Sequence, residues 1–218
     1  MDDEGGSTRN RPPEDRRTYM NTYKTLETKD VTIDDVLTLE DGSSFEFTLK
    51  NGEAVRAIAL GRTLFDIHFI LQDCLKDLGV EMGGKGIEDW KESYLRTYLN
   101  EEVLAMFPDE LVDMMDHYDD GDLLTVPSET EVFGPRHFSE GGRSGERRFA
   151  PMQKARNRIA CNGPYGPPMR YWLRDKAFGR SFSIVDTDGS AGTASASMAL
   201  GVRPMFRLVL PYMPSHRG

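Results

Sequence analysis

The sequence predicts an α+β fold, and three features of its 218 residues support that prediction. Two β-rich runs flank the pair Asn51-Gly52, which is the strongest short-range signal for a β-hairpin. Apolar residues recur every three or four positions from Trp90 to Leu99, as they do on one face of a helix. Nearer the C-terminus, another β-rich stretch turns at Asp188-Gly189. We therefore expect antiparallel strands together with a few helices.

Composition divides the chain into one domain and two ends. Residues 1–25 are rich in charge, Gly and Pro and poor in core-forming side chains, which is typical of a disordered arm. Residues 26–212 hold the apolar patterns of a single α+β domain, and residues 213–218 are expected to be a flexible tail. The first residues lack the apolar region of a signal peptide. No run approaches the roughly 18 apolar residues of a membrane span.

The first half of the domain is predicted to contain a hairpin followed by helices. Residues 44–49 and 54–60 supply the two strands of the hairpin at Asn51-Gly52. Apolar residues at helical spacing predict a helix over 65–78, which Gly79 would end. A second helical region is expected over 87–107, and a third, strongly acidic one is expected after Pro108.

Shorter elements are predicted in the second half. Residues 123–126 have the composition of a short buried strand, and residues 127–134 that of a short helix. Ser128 and Glu131 have the spacing of a capping box, in which each side chain bonds to the other residue's backbone N–H. That role accounts for both residues without acid–base chemistry. Residues 171–174 predict an aromatic strand that precedes the hairpin at Asp188-Gly189.

Charge is distributed unevenly within a net charge of −9. Residues 101–133 contain eleven acidic residues and no Lys or Arg, whereas residues 136–180 contain eleven basic residues and three acidic ones. These acidic and basic blocks can neutralise each other within one fold, or they can join neighbouring copies of the chain. A basic block alone would suggest nucleic acid. The adjoining acidic block makes nucleic acid a disfavoured partner, and pairing within the molecule is the favoured interpretation.

The sequence carries none of the motifs that identify an enzyme or a metal site. It has no nucleophile elbow, phosphate-binding loop, zinc-protease helix or dinucleotide-binding glycine pattern. Two cysteines do not make a disulfide framework; Cys74 is expected to be a buried thiol, and a reactive thiolate at Cys161 is the weaker interpretation. The stretch from Asp186 opens like a calcium loop, but its twelfth position is Ser197 instead of Glu. We therefore predict no catalytic residues, no cofactor and no metal.

Four motifs stand in order along the chain. They are Trp90-x-x-Ser93-Tyr94-x-Arg96-x-x-Leu99-Asn100, then residues 127–134, then Trp172-Leu173-Arg174, then Gly201-Val202-Arg203-Pro204. The series resembles a bacterial and prophage family that is described as a domain of unknown function, over about residues 45–210. The chain departs from the family pattern at three positions: Tyr171 replaces a Trp, Asp175 replaces a Ser and Met205 replaces an Ala.

The resemblance implies a C-type-lectin-like fold, with a small irregular antiparallel sheet, two or three helices and long loops. It implies a non-enzymatic binding or structural module, which would be a phage or prophage virion protein that decorates a head or tail or acts in attachment. The protein would then be found in the virion, or in the bacterial cytoplasm before assembly. Seven residues would be structural anchors of the fold: Trp90, Arg96, Asn100, Glu131, Trp172, Arg174 and Arg203.

The stretch from Arg180 to Leu200, rich in Ser, Ala, Gly and Thr, would be a displayed surface between these anchors. Small polar residues bind weakly, so affinity would need aromatic and basic neighbours. The expected ligand-binding residues are Tyr165, Tyr171, Phe178, Arg180, Phe182 and Ser183. The partners would be other virion subunits or copies of the chain itself, and a glycan or protein of the host surface. The alternative is a plain hairpin whose Ser and Ala residues face solvent.

Two other functions remain open at this point. One is a hydrolase that acts on a cell-wall sugar with carboxylates from a pocket between the acidic and basic blocks. The other is a cytoplasmic bacterial interaction protein with no role in a virion.

Overall fold

A computed structural model describes residues 25–26, 32–84, 86–87, 89–134, 137–139 and 146–210. The predicted arm lies outside the described residues except for its last residue, and the predicted tail lies wholly outside them. The described residues form an α+β structure of short helices and mainly antiparallel sheets, as the sequence predicts. None of the helices in these ranges is long and apolar enough to cross a membrane.

The first sheet has five strands in the order β1-β2-β3-β4-β12. Their bounds are β1 Thr25–Leu26, β2 Ser44–Thr48, β3 Ala54–Arg62, β4 Asp66–Leu71 and β12 Met205–Val209. The predicted hairpin at Asn51-Gly52 is confirmed, because β2 and β3 pair antiparallel across it. Strand β12 pairs with β4 and so brings the C-terminal part of the chain back to the hairpin.

The predicted helix over residues 65–78 is wrong. Residues 66–71 form the strand β4, and the chain then turns towards the second sheet. Every side chain of β4 except that of His68 is buried, because both faces of this strand are covered. A strand that is buried on both faces has a continuous apolar run, and its residues can also match helical spacing.

The second sheet also has five strands, in the order β10-β9-β8-β11-β5. Their bounds are β5 Gly79–Glu81, β8 Tyr171–Lys176, β9 Ser181–Val185, β10 Ala191–Ser195 and β11 Ala199–Gly201. The predicted aromatic strand and the hairpin at Asp188-Gly189 are both confirmed. Strands β6 (Ala160–Cys161) and β7 (Pro168–Met169) form a separate small hairpin.

The helices are short. They are α1 Ile33–Leu37, α2 Tyr94–Tyr98, α3 Asp109–Val112, α4 Glu129–Phe133 and α5 Ala155–Arg158. The second predicted helical region is confirmed, with α2 continuing into a π-helical turn over Leu99–Val103. The third is reduced to the single turn α3. Residues 123–126 make only an isolated bridge, between Thr125 and Met205, and no regular strand.

One hydrophobic core lies between the two sheets. Phe45, Phe69 and Phe206 contribute from the first sheet, and Trp172 and Phe182 from the second. The rings of Phe69 and Phe206 stack with their centroids 5.5 Å apart. A smaller cluster, which includes Ile58, Leu60, Ile70, Met152 and Met205, packs separately. The turns around the edges of these layers carry the surface features described next.

Candidate ligand-binding groove

A groove of about 710 Å³ lies where three turns of the chain meet. The first turn joins β2 to β3, the second precedes β5, and the third joins β6 to β7. The residues that line the groove are Asn51, Gly52, Glu53, Ala54, Lys76, Asp77, Asn162, Pro164, Tyr165 and Gly166. We refer to it below as the three-turn groove.

The β2–β3 turn is shaped by its Asn-Gly pair. The side chain of Asn51 accepts a hydrogen bond of 2.9 Å from the backbone N–H of Glu53. Gly52 has a φ of 88°, a conformation that glycine adopts at no steric cost. The carboxylate of Glu53 in turn accepts a bond of 3.1 Å from the backbone N–H of Lys76. The first turn is thereby tied to the second.

Asp77 and Asn162 tie the second turn to the third. The backbone N–H of Asp77 donates to the Asn162 side-chain oxygen at 2.6 Å, and the Asn162 amide donates to the Asp77 carboxylate at 2.9 Å. Asp77 has a φ of 53°, which among the described residues makes it the one non-glycine with a positive φ. Such backbone conformations persist where the surroundings hold them, and they cluster at functional sites.

The third turn presents Tyr165 to solvent. The chain closes on itself through a bond of 2.9 Å from the Asn162 N–H to the Pro167 carbonyl. A Cβ atom on Gly166 would lie 2.0 Å from the Asn162 carbonyl oxygen, so any other residue here must displace the backbone. Tyr165 is 93% exposed, the largest exposed fraction among the large hydrophobic side chains of the described residues.

These side chains give the groove a definite chemistry. Glu53 and Asp77 supply carboxylates, Asn51 and Asn162 supply amides, and Lys76 supplies an ammonium group. Each can form hydrogen bonds with hydroxyl groups. Tyr165 adds a flat, amphipathic ring at one wall, which offers stacking area to a ligand. Convergent polar groups beside one aromatic surface can hold a ligand that is rich in hydroxyl groups.

The predicted ligand-binding residues are not brought together. Tyr165 lies in the three-turn groove, whereas Phe178 and Arg180 are exposed in the turn between β8 and β9. Phe178 follows the C-terminal end of β8 and Tyr165 lies before its start. The six residues of β8 alone span about 20 Å at the usual rise of a strand. Phe178 and Arg180 therefore belong to a different surface from Tyr165.

Three predicted ligand-binding residues are buried, which corrects their expected role. Tyr171 is 0% exposed, and its hydroxyl donates to the Arg158 carbonyl at 2.7 Å. Phe182 is 0% exposed within the main core. Ser183 is 1% exposed and donates to the Glu129 carboxylate at 3.0 Å. These side chains lie in strands whose neighbours cover them, so a ligand on the surface cannot reach them.

The predicted anchor Arg203 is fully buried. Its guanidinium donates to the Leu71 carbonyl at 2.8 Å, to the Tyr171 hydroxyl at 2.8 Å and to the Asn157 carbonyl at 3.2 Å. It also lies 5.1 Å from the centre of the Tyr171 ring. The planar fork of an arginine can satisfy several acceptors at once, and here those acceptors come from separate segments of the chain.

Arg174 and Glu131 form a second buried network. Arg174 donates to Glu131 at 2.8 Å and to Glu146 at 2.7 Å. The capping box of α4 is confirmed, because Glu131 accepts from the Ser128 N–H at 2.7 Å while the Ser128 hydroxyl accepts from the Glu131 N–H at 3.1 Å. Burial would raise the pKa of Glu131, but the charge and hydrogen bond of Arg174 hold that pKa below its usual range.

Asp175 follows Arg174 in the same strand, and its pKa shifts in the opposite direction from that of Glu131. Its carboxylate accepts a hydrogen bond from the backbone N–H of Glu129. Burial raises the pKa of Asp175 from 3.8 to about 6, although that N–H and the charge of Arg174 act in the opposite direction. Glu129 itself is 0% exposed, and its carboxylate accepts the backbone N–H groups of residues 137, 138 and 139.

The other predicted anchors also lie in structural positions. Arg96 forms an ion pair of 2.6 Å with Asp122, and Asn100 accepts the N–H groups of Leu123 and Leu124, each at 3.0 Å. The indole N–H of Trp172 donates to the Val80 carbonyl at 2.7 Å, which joins β8 to β5. Trp90 is 6% exposed and belongs to the main core.

Among the described residues, several carboxylates of the acidic block pair with basic residues outside the basic block. Asp109 pairs with Lys50 at 2.6 Å, Asp116 with Arg207 at 3.2 Å, and Asp122 with Arg96. The pair of Glu131 with Arg174 does join the two blocks. Ion pairs within the molecule therefore join the acidic block both to the basic block and to other parts of the chain.

Sequence reasoning missed most of the three-turn groove. Asn51 was identified as a turn residue, but Glu53, Lys76, Asp77 and Asn162 carried no signal of a site. Asp77 and Asn162 lie 85 positions apart in the chain, and only the fold brings them together. In the described ranges, no group of three or more His, Cys, Asp or Glu residues is placed to hold a metal ion.

We also compared the chain with protein-family models, with curated proteins and with solved structures, and none of them matches it.

Proposed function

We propose that the protein is a non-enzymatic binding module that holds a hydroxyl-rich ligand, such as a glycan, in the three-turn groove. The observation that carries this proposal is the position of Tyr165, which is 93% exposed at the wall of a groove lined by carboxylates and amides. An exposed tyrosine can stack its ring on a sugar at a small desolvation cost, because its hydroxyl group stays in water. The hydrogen bonds between the turns hold the polar groups in place before a ligand arrives.

The C-type-lectin-like form of the fold and the virion setting are further parts of the proposal. The ordered series of four motifs supports both. Short antiparallel sheets, closed by strands from the C-terminal part of the chain, are compatible with such a fold. In a virion, many copies would convert weak contacts of single grooves into useful avidity. Mass spectrometry of density-gradient fractions tests the setting: a virion protein sediments with particles, whereas a cytoplasmic interaction protein stays in the soluble fraction.

The groove itself is tested by replacing Tyr165 with alanine. The wild type is screened on a glycan array, and the best ligand is then titrated by calorimetry. Tyr165→Ala is expected to weaken binding by about tenfold, because one aromatic contact contributes on the order of 1 kcal/mol or more. Phe178→Ala is the matched control, since Phe178 is also exposed but lies on another surface. Equal losses in the two variants, or none in Tyr165→Ala, would show that the groove is not the site.

A second assay on the same glycan separates binding from hydrolysis. Glu53 and Asp77 both line the groove, and a pair of carboxylates is what a glycosidase uses. The glycan that binds is therefore incubated with the protein and analysed for reducing ends. An intact glycan agrees with the binding module. Cleavage that Glu53→Gln or Asp77→Asn abolishes would make the protein a hydrolase instead.

A further inference from the structure

Strand β10 forms one outer edge of the second sheet. Its sequence is Ala-Gly-Thr-Ala-Ser, and it pairs with β9 in one continuous register. Natural edge strands are usually protected from pairing by lysine, proline, a bulge or a covering segment. Strand β10 contains none of the first three, and the side chains of Thr193 and Ser195 are exposed.

The hydrogen bonds at the two ends of this hairpin show which groups face outward. The Asp186 N–H donates to the Ser190 carbonyl at 2.8 Å, and the Ala196 N–H donates to the Arg180 carbonyl at 3.1 Å. Along an antiparallel pair, hydrogen-bonded positions alternate with non-bonded ones. Residues 192 and 194 therefore bond to β9.

It follows that Ala191, Thr193 and Ser195 direct their backbone N–H and C=O groups away from the sheet. Among the described residues, the backbone bond that reaches these outward groups is the one from the Met198 N–H to the Ser195 carbonyl, at 2.9 Å. Half of the strand's backbone groups are thus offered to solvent in the pattern that another strand would require.

We infer that this edge pairs with the same edge of a second copy of the chain, antiparallel and centred on Thr193. A two-fold axis between identical strands allows only the antiparallel arrangement, in which Ala191 of each copy faces Ser195 of the other. The side chains on both copies are small and uncharged, so neither bulk nor like charge opposes the contact. Each open edge is satisfied by the other.

The ends of the hairpin favour a second copy over an unrelated strand. In this register, residue 188 of one copy lies opposite residue 198 of the other. The acidic turn with Asp186 and Asp188 therefore lies at the end where the other copy carries Arg180, next to Ala196. Asp188 and Arg180 are both exposed. The two-fold axis repeats this pairing of opposite charge at the other end of the contact.

The inferred dimer stands independently of the three-turn groove but would affect its use. Strand β5 forms the opposite edge of the second sheet, and two groove residues, Lys76 and Asp77, lie just before it. Pairing through β10 would join the second sheets of the two copies into one continuous sheet, with a groove near each of its outer edges. One dimer would then present two binding sites at a fixed separation.

The experiment measures self-association of the full chain by sedimentation over a wide range of concentration. The wild type is expected to form a dimer, and Thr193→Lys to weaken it by roughly tenfold or more, because two like charges would meet at the axis. Thr48→Lys is the matched control, since Thr48 is an exposed threonine of β2 in the other sheet. Circular dichroism shows whether each variant is folded.

A cross-linking measurement decides the outcome even if Thr193→Lys fails to fold. Paired residues at the centre of the contact would have Cα atoms about 5.5 Å apart, within the range that a disulfide spans. Mild oxidation should therefore link Thr193→Cys into a covalent dimer and leave Thr48→Cys monomeric; both native cysteines are buried. A wild type that stays monomeric, or a dimer in which Thr193→Cys does not cross-link, would overturn the inference, including the case where β10 instead binds a foreign strand.

Discussion

Two charged side chains show how differently the interior treats ionisable groups. Arg203 is fully buried, and several acceptors surround its guanidinium. Asp175 is also largely buried but accepts one backbone N–H, and its pKa rises to about 6. The planar guanidinium carries five N–H donors, so one arginine can serve all of these acceptors. A carboxyl with too few donors instead holds its proton more tightly.

The Asp175 carboxyl makes the stability of the protein depend on pH. Folding raises its pKa from 3.8 to about 6, so its favourable contribution is complete below the lower value and is lost as pH rises through the higher one. Asp175→Asn resembles the protonated acid and keeps an oxygen for the Glu129 N–H. We expect the variant to be more stable than the wild type by roughly 1–3 kcal/mol at about pH 8, and similar at about pH 4.

Urea unfolding at several pH values measures this difference. Asp113→Asn serves as the control, because Asp113 is exposed at the end of α3. An advantage of Asp175→Asn that stayed the same at both ends of the pH range would contradict the assignment of the shift to Asp175.

At the residue scale, the sequence identified structural positions better than binding positions. Local spacing identified the capping box of Ser128 and Glu131, since both partners lie within one turn of helix. It did not show that Tyr171 and Phe182 are buried while Tyr165 is exposed. Aromatic side chains serve in cores and in binding sites alike, so composition alone cannot separate the two.

At the scale of the elements, the sequence predicts a hairpin with a clear turn signal but not a strand that is covered on both faces. The hairpin β2–β3 was predictable because Asn51-Gly52 fixes its turn. Strand β4 was mistaken for a helix because β3 and β12 flank it and packing covers both of its faces. The short helix α1 was missed, although Thr32 and Asp35 form a capping box at its start. Its five residues are too few to show a period.

The turn between β6 and β7 depends on one glycine. A methyl group on Gly166 would meet the Asn162 carbonyl oxygen at 2.0 Å, so Gly166→Ala must displace the backbone that positions Asn162 and Tyr165. We expect a loss of about 1–3 kcal/mol in the free energy of unfolding, together with weaker ligand binding.

Gly84→Ala is the matched control for this turn, because a Cβ atom there meets nothing within 4 Å. Thermal unfolding and the glycan titration are measured on both variants. A Gly166→Ala protein with the stability and affinity of the wild type would mean that the turn can relax without moving the wall of the groove.

At the scale of the whole molecule, the two sheets share one core. Residues of β2, β3, β4 and β12 pack with residues of β8, β9 and β10 in the main hydrophobic cluster. Neither sheet can expose its inner face without opening the other. Because the two sheets share one core, we expect them to unfold together in a single cooperative step.

The two cysteines provide a test of this cooperativity. Cys74 and Cys161 are both buried, and burial raises the pKa of the Cys74 thiol to about 12. The thiolate is the reactive form, so neither cysteine should react with a thiol reagent in the native state. We expect both to become reactive together, at the urea concentration where circular dichroism reports unfolding.

Cys74→Ser and Cys161→Ser allow each thiol to be followed alone. If one thiol reacted at a lower urea concentration than the other, the chain would unfold in parts, and the single domain predicted for residues 26–212 would have to be divided.

The three-turn groove could not be predicted from the sequence, because no single turn contains it. Its polar residues come from turns near positions 52, 77 and 163, which lie far apart in the chain and adjoin only in the folded molecule. Each turn by itself resembles an ordinary surface loop. What distinguishes them is the set of bonds Glu53 to Lys76 and Asp77 to Asn162, and these depend on the complete fold.

The position of β12 also has a consequence for how the protein is made. This strand pairs with β4, and β11 pairs with β5, so residues near 200 close both sheets against residues near 70 and 80. During synthesis, β4 and β5 leave the ribosome long before their partners exist. Until then, the backbone groups that will pair with β11 and β12 stay unpaired and the apolar faces stay exposed. Nascent chains in this condition recruit chaperones or aggregate. A message truncated before codon 199 would yield a polypeptide that lacks both β11 and β12 and so cannot complete either sheet.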